Sequence, residues 1–81
     1  MNKEILIKKL LYRSNYRGCK ETDFLIGNFA KAKINQFKDL ALYENFLAEK
    51  DGEIYDWIMD KYQAPKQYQE LVRQIQDFHK I

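Results

Sequence analysis

Apolar positions recur at helical spacing along almost the whole chain. Leu6, Ile7, Leu10 and Leu11 share one face of a helix predicted from about Lys3 to Arg13. A polar break, Ser14-Asn15-Tyr16-Arg17-Gly18, ends it. A second helix is predicted from Cys19 to Lys33, burying Leu25, Phe29 and Ala32 with Ile26 beside them. Gly27 lies inside that helix, where glycine costs roughly 1 kcal/mol against alanine, and close packing of a neighbouring helix is the expected reason. The third helix is predicted from Asn35, as N-cap, to Glu49, with Phe37, Leu40, Tyr43 and Leu47 aligned. Lys50-Asp51-Gly52 closes it, and a fourth follows from Glu53 to Lys61 with Ile54, Trp57 and Ile58 at i, i+3, i+4. Pro65 opens the last helix, where its missing N–H is no loss, and Tyr68, Leu71, Val72, Ile75 and Phe78 form its stripe. No alternating strands flank Asp51-Gly52, the nearest approach to a hairpin dipeptide. The pattern predicts an all-α bundle of five short helices, with residues 1–81 as a single domain.

Size limits what such a bundle can do. With 81 residues there is one domain and no room for a nucleotide-binding fold plus a substrate domain. A chain this short buries only about 60–65% of its unfolded surface, so a ligand cavity would consume core it can barely spare. Its twelve aromatics (six Tyr, five Phe, one Trp) are more than a small core can hold, and outward ones point to a partner surface. Trp57 is expected in the core and Tyr55 as partly exposed support. The formal net charge of +2 is too weak for a dedicated nucleic-acid binder. It conceals an asymmetry. Residues 1–20 set Lys3, Lys8, Lys9, Arg13, Arg17 and Lys20 against Glu4 alone, whereas residues 51–81 are mildly acidic. The single cysteine, Cys19, has no internal partner and fits a reducing compartment. No apolar run approaches the ~18 residues of a membrane span, and Lys8 and Lys9 interrupt any signal-peptide core, so the amphipathic start from Met1 is assigned to the first helix.

The search for catalytic chemistry finds little. One histidine, His79, lies within the last three residues, where a frayed side chain is expected. One His and one Cys cannot assemble a zinc site, and there is no Gly-rich phosphate loop. Ser14 has no base near it in sequence, and Cys19 is read as buried or incidental, although Arg17 and Lys20 beside it are what an activated thiolate would need. The chain is expected not to be an enzyme.

The segment Arg17-Gly18-Cys19-Lys20-Glu21 supports two readings. In the first it serves only the fold: Gly18 ends the first helix in a left-handed conformation, Arg17 sits at that helix's C-terminus and Glu21 at the N-terminus of the next. In the second, glycine lets a partner backbone approach while an Arg fork and a carboxylate flank it, giving a recognition edge. A basic first segment interleaved with Tyr12 and Tyr16 also keeps open a nucleic-acid-binding or antitoxin-like small helical regulator, and an aromatic groove would suit a helical adaptor.

Arg17-Gly18-x-x-Glu21, continuing Thr22-Asp23-Phe24-Leu25 to Phe29, resembles the signature of the SdhE-like FAD assembly factors of succinate dehydrogenase. A second block agrees: Tyr43-Glu44-Asn45-Phe46-Leu47-Ala48-Glu49-Lys50-Asp51, then Glu53-Ile54-Tyr55-Asp56-Trp57-Ile58. Leu10-Leu11-Tyr12-Arg13-Ser14 before the first block is also similar, so the resemblance spans about residues 8–60. The chain departs from that pattern in having Asp51-Gly52 in place of an Asp-Pro-like acidic turn, Ile34-Asn35-Gln36-Phe37 in place of a Ser-rich cap, and a charged Lys20 within the motif.

The resemblance implies a five-helix chaperone, monomeric when free, that binds the flavoprotein subunit of succinate dehydrogenase, with fumarate reductase as a further client. It would promote covalent attachment of FAD to a histidine of that subunit, holding no cofactor tightly itself. It implies a place in the bacterial cytoplasm or the mitochondrial matrix. Arg17, Gly18 and Glu21 would form the client-binding edge, with Asp23 as their neighbour.

Overall fold

The computed structural model describes residues 3–81; residues 1 and 2 of the amphipathic start lie outside them. Five helices are present and no strand among the described residues: α1 (Lys3–Asn15), α2 (Lys20–Lys33), α3 (Leu40–Leu47), α4 (Asp51–Ile58) and α5 (Gln69–His79). Single 3-10 turns, Ile34–Gln36 and Lys66–Tyr68, follow α2 and precede α5.

The buried residues come from the predicted stripes. Leu10 of α1 is fully buried and Leu6, Ile7 and Leu11 pack beside it. Helix α2 is central, touching α1, α4 and α5, so its buried face is wide and takes in Leu25, Ile26, Phe29 and Ala30. Ala32, expected inside, is exposed, because the buried arc runs through Ile26 and Ala30 rather than to the end of the 25–29–32 row. Ile54, Trp57 and Ile58 of α4 and Leu71, Val72 and Ile75 of α5 are buried as their spacing predicts. Phe46, outside the predicted stripe of α3, is also fully buried; its ring lies 5.3 Å from Tyr68 and 6.2 Å from Trp57. These rings join α3, α4 and the approach to α5 in one cluster.

Gly27 of α2 faces the end of α1. A Cβ there would press on the Asn15 side-chain amide and lie 3.5 Å from the Ser14 carbonyl, so any larger residue has to displace Asn15 at the end of α1.

Several boundaries differ from the sequence pattern. Asn35 is not an N-cap; it lies in the 3-10 turn after α2. The chain turns extended at Phe37, and Asp39 caps α3, its Oδ1 accepting from the Leu42 N–H at 2.9 Å. Helix α4 starts two residues earlier than predicted, at Asp51, and ends at Ile58, short of Lys61. Its stop is a Schellman motif. Asp60 takes a left-handed φ of 61°, its N–H donates to the Trp57 carbonyl and the Lys61 N–H to that of Asp56. Pro65 stands before a 3-10 turn instead of opening α5 directly. His79 is not frayed: its Nε2 lies 2.7 Å from the Leu25 carbonyl and its ring 5.7 Å from that of Phe24.

Candidate recognition site at the turn between α1 and α2

Helix α1 stops where polar side chains take over its carbonyls. Ser14 Oγ donates to the Leu10 carbonyl and Asn15 Nδ2 to that of Leu11, both at 2.7 Å. Since the one Ser14 proton is committed there, the contact of 2.6 Å between Ser14 Oγ and the Tyr43 hydroxyl has Tyr43 as donor. Burial pushes the Tyr43 phenol well above its ordinary value of 10, with the Arg17 charge pulling weakly the other way.

Four residues then lead into α2, and Arg17 anchors them from within. Its side chain is only 11% exposed. Nε donates to Asp51 Oδ1 in an ion pair, Nη1 to the Arg13 carbonyl at 3.4 Å, and Nη2 to the Leu47 and Glu49 carbonyls at 2.8 and 3.0 Å. The guanidinium thus serves carbonyls at the C-terminal ends of α1 and α3 together with the first residue of α4. The Arg17 backbone N–H donates to Asp23 Oδ1 at 2.7 Å, so Asp23 holds the turn from the α2 side. Asp51 takes a second bond: Oδ2 accepts from the Gly18 N–H at 3.2 Å. The Asp51 carbonyl accepts from Thr22 Oγ1 at 3.4 Å, leaving fully buried Thr22 with a partner.

Gly18 does not adopt the left-handed conformation expected of it; no glycine among the described residues has a positive φ. A Cβ at Gly18 would meet only Asp51 Oδ2, at an ordinary 3.8 Å. Neither backbone angle nor crowding within the chain demands glycine there. Gly18 and Glu21 are exposed, whereas the fork of Arg17 is spent on internal partners, contrary to its expected outward place.

Glu21 occupies the first turn of α2 and accepts from Cys19 Sγ at 3.2 Å. That thiol and the Glu21 backbone N–H hold its carboxyl below the usual glutamate value, with Lys20 helping. Beside it a shallow groove of about 430 Å³ is lined by Lys20, Glu21, Phe24, Leu25, Tyr55 and Met59. Phe24 is 62% and Met59 38% exposed, so an apolar patch adjoins the carboxylate. The apolar pattern alone assigns neither residue to a site. Phe24 was visible as an aromatic next to Asp23 on a helix whose core positions were already filled, and Met59 as an apolar residue following the α4 stripe.

Other features lie apart from this turn. Tyr12 and Tyr16, both exposed, pack against each other at a tilt of 35° with centroids 4.7 Å apart, and Glu44 lies 3.7 Å from both Lys9 and Arg13. A larger groove of about 690 Å³ is floored by Phe29, Phe37, Leu42 and Phe78. No group of His, Cys, Asp and Glu among the described residues could hold a metal ion, and no described helix is long and apolar enough to cross a membrane.

A largely buried arginine thus holds an exposed Gly–Glu edge on a small helical bundle. Comparison with known proteins gives the chain a family. The model of a family described as flavinator of succinate dehydrogenase matches residues 8–79, and this chain belongs to that family. It is 36% identical over 78 residues to succinate dehydrogenase assembly factor 2, mitochondrial, of Dictyostelium discoideum, covering 94% of this chain and 55% of that protein. It is 36% identical over 62 residues to the FAD assembly factor SdhE of Acetobacter pasteurianus, covering 74% of this chain and 57% of that protein. With succinate dehydrogenase assembly factor 2, mitochondrial, of Scheffersomyces stipitis it shares 39% identity over 61 residues, 73% of this chain and 41% of that protein. The chain spans about half the length of the curated relatives it matches. No solved structure matches it.

Proposed function

We propose that this chain is an assembly factor that binds the flavoprotein subunit of succinate dehydrogenase and promotes covalent attachment of FAD to it. The observation that carries this reading is the family match over residues 8–79, coupled to a turn whose Gly18 and Glu21 face outward while Arg17 and Asp23 hold it from inside. The attachment chemistry belongs to client and flavin, and FAD is the client's cofactor. What this chain contributes is binding energy. If the attachment-competent conformation of the client is a minor one, a tenfold rise in its population takes about 1.4 kcal/mol of differential affinity, well within reach of a surface patch. Glu21, its carboxyl ionised throughout the physiological range, offers an acceptor to a client cation or backbone N–H. Gly18 lets the client backbone come close, and Phe24 and Met59 supply apolar area next to both. The Arg17 guanidinium enters this reading as the support of the edge. No chemistry is assigned to the chain itself, and its compartment is that in which the client matures.

Titration of the purified flavoprotein subunit with the unmodified chain and with Glu21→Ala tests the reading. Complex formation by the unmodified chain, with affinity falling at least about tenfold for Glu21→Ala at unchanged helicity, is the expected result. Equal affinity of the two chains would remove Glu21 from the edge, and absence of any complex would remove the function.

A further inference from the structure

The carboxylate that shapes the turn comes from outside the motif, at the start of α4. Asp51 is 33 residues from Gly18 in sequence, yet it meets the turn at three points. Oδ1 pairs with Arg17 Nε, Oδ2 accepts from the Gly18 N–H, and the Asp51 carbonyl accepts from Thr22 Oγ1. The two carboxylate oxygens therefore serve the two halves of the motif separately: one orients the buried guanidinium, the other the backbone of the exposed glycine. A neutral side chain of the same size cannot do both, since an amide has one acceptor oxygen and its nitrogen would face a donor.

We propose that Asp51 is a positioning residue for client recognition: it fixes the Gly18 backbone in the orientation that the client reads, and Arg17 acts on recognition through Asp51. This rests on the reading that the chain binds a flavoprotein client at the Gly18–Glu21 edge. The fold has other means of holding together without this carboxylate. Arg17 retains three carbonyl acceptors, Asp23 still accepts from the Arg17 N–H, and Glu53 remains in the first turn of α4. Loss of Asp51 should therefore loosen the turn more than the bundle.

The experiment uses Asp51→Asn, Arg17→Gln and the double variant, with the unmodified chain beside them. Melting and Trp57 emission report the bundle and α4, hydrogen exchange of the Gly18 amide reports the turn, and titration with the flavoprotein subunit reports recognition. For Asp51→Asn we expect a cooperative melt and native Trp57 emission. The Gly18 amide should exchange about ten times faster, and affinity should fall about tenfold. Because Arg17 works through Asp51, the double variant should lose little more affinity than the worse single one. Multiplying losses would mean that Arg17 contacts the client itself, overturning the proposal, as would unchanged affinity or an unchanged Gly18 amide in Asp51→Asn. If Asp51→Asn does not fold, Arg17→Gln leaves the carboxylate in place and opens the clasp from the other side. Client affinity retained in that variant would again overturn the proposal. If the unmodified chain binds no flavoprotein, it is the proposed function that falls, and the Gly18 amide still decides whether Asp51 orders the turn.

Discussion

Gly18 shows how little a residue's type says about its purpose until its surroundings are known. A glycine between two helices suggests a left-handed cap, but Gly18 has no positive φ and open space where a Cβ would stand. Gly18→Ala should therefore change stability by less than about 0.5 kcal/mol, as at an ordinary exposed site. Gly18→Arg should melt like Gly18→Ala while losing client affinity; parallel losses in melting and titration would return the glycine to a purely structural role. Arg17 was legible as a helix-end cation, but its contact with Asp51 was not, because 34 residues separate them and only the fold brings α4 under the turn. Tyr43 carries a pH-dependent test. Its folded-state pKa is raised by burial, so the unfolded chain gives up the phenolic proton near pH 10 while the folded chain keeps it. Its contribution is complete below that value and is lost as pH rises above it. Tyr43→Phe should cost about 1 kcal/mol at neutral pH, for the lost bond to Ser14, and should flatten the decline in stability at alkaline pH. Melting curves at pH 7 and above pH 10 check both.

At the scale of elements, apolar spacing located every helix and most of the core, whereas helix ends depended on groups the spacing does not report. Helix α3 was read from Asn35 because Phe37 and Leu40 fit its stripe. The backbone instead breaks at Phe37, and the signal for the true start was Asp39, whose short carboxylate reaches the Leu42 N–H. Asp39→Ala should cost about 1 kcal/mol, the usual worth of an N-cap, and leave client binding unchanged. Asp60 ends α4 in a left-handed conformation that glycine adopts without the steric penalty of a side chain. Asp60→Gly should therefore raise stability by up to about 1 kcal/mol, read in a thermal melt. Gly27, by contrast, was correctly read as a packing glycine. Alanine there gains helix propensity but displaces the Asn15 amide, and a larger side chain also meets the Ser14 carbonyl. Gly27→Leu should destabilise by about 1–3 kcal/mol.

Across the whole molecule, the aromatic residues divide the labour between fold and surface. Tyr43, Phe46, Trp57 and Tyr68 form the interior, while Phe24 stays outside, beside Glu21 and Met59. Hydrogen bonds from Arg17, Asp23 and Asp51 hold this edge from beneath, and a carboxylate, a glycine and an apolar groove face outward. The local motif was legible as a segment whose residue types suit a recognition edge as well as a turn between two helices. The groove was not, since it forms only when α4 is laid beside α2. That this edge promotes flavin attachment to a succinate dehydrogenase flavoprotein can be read from the mass of that subunit. The subunit is isolated from cells making no assembly factor, the unmodified chain, or Glu21→Ala at equal abundance. With the unmodified chain the subunit is expected to be heavier by one FAD, and in the other two cases to be predominantly flavin-free. A flavinylated fraction that does not depend on the chain, or that Glu21→Ala sustains in full, would contradict that role of the edge.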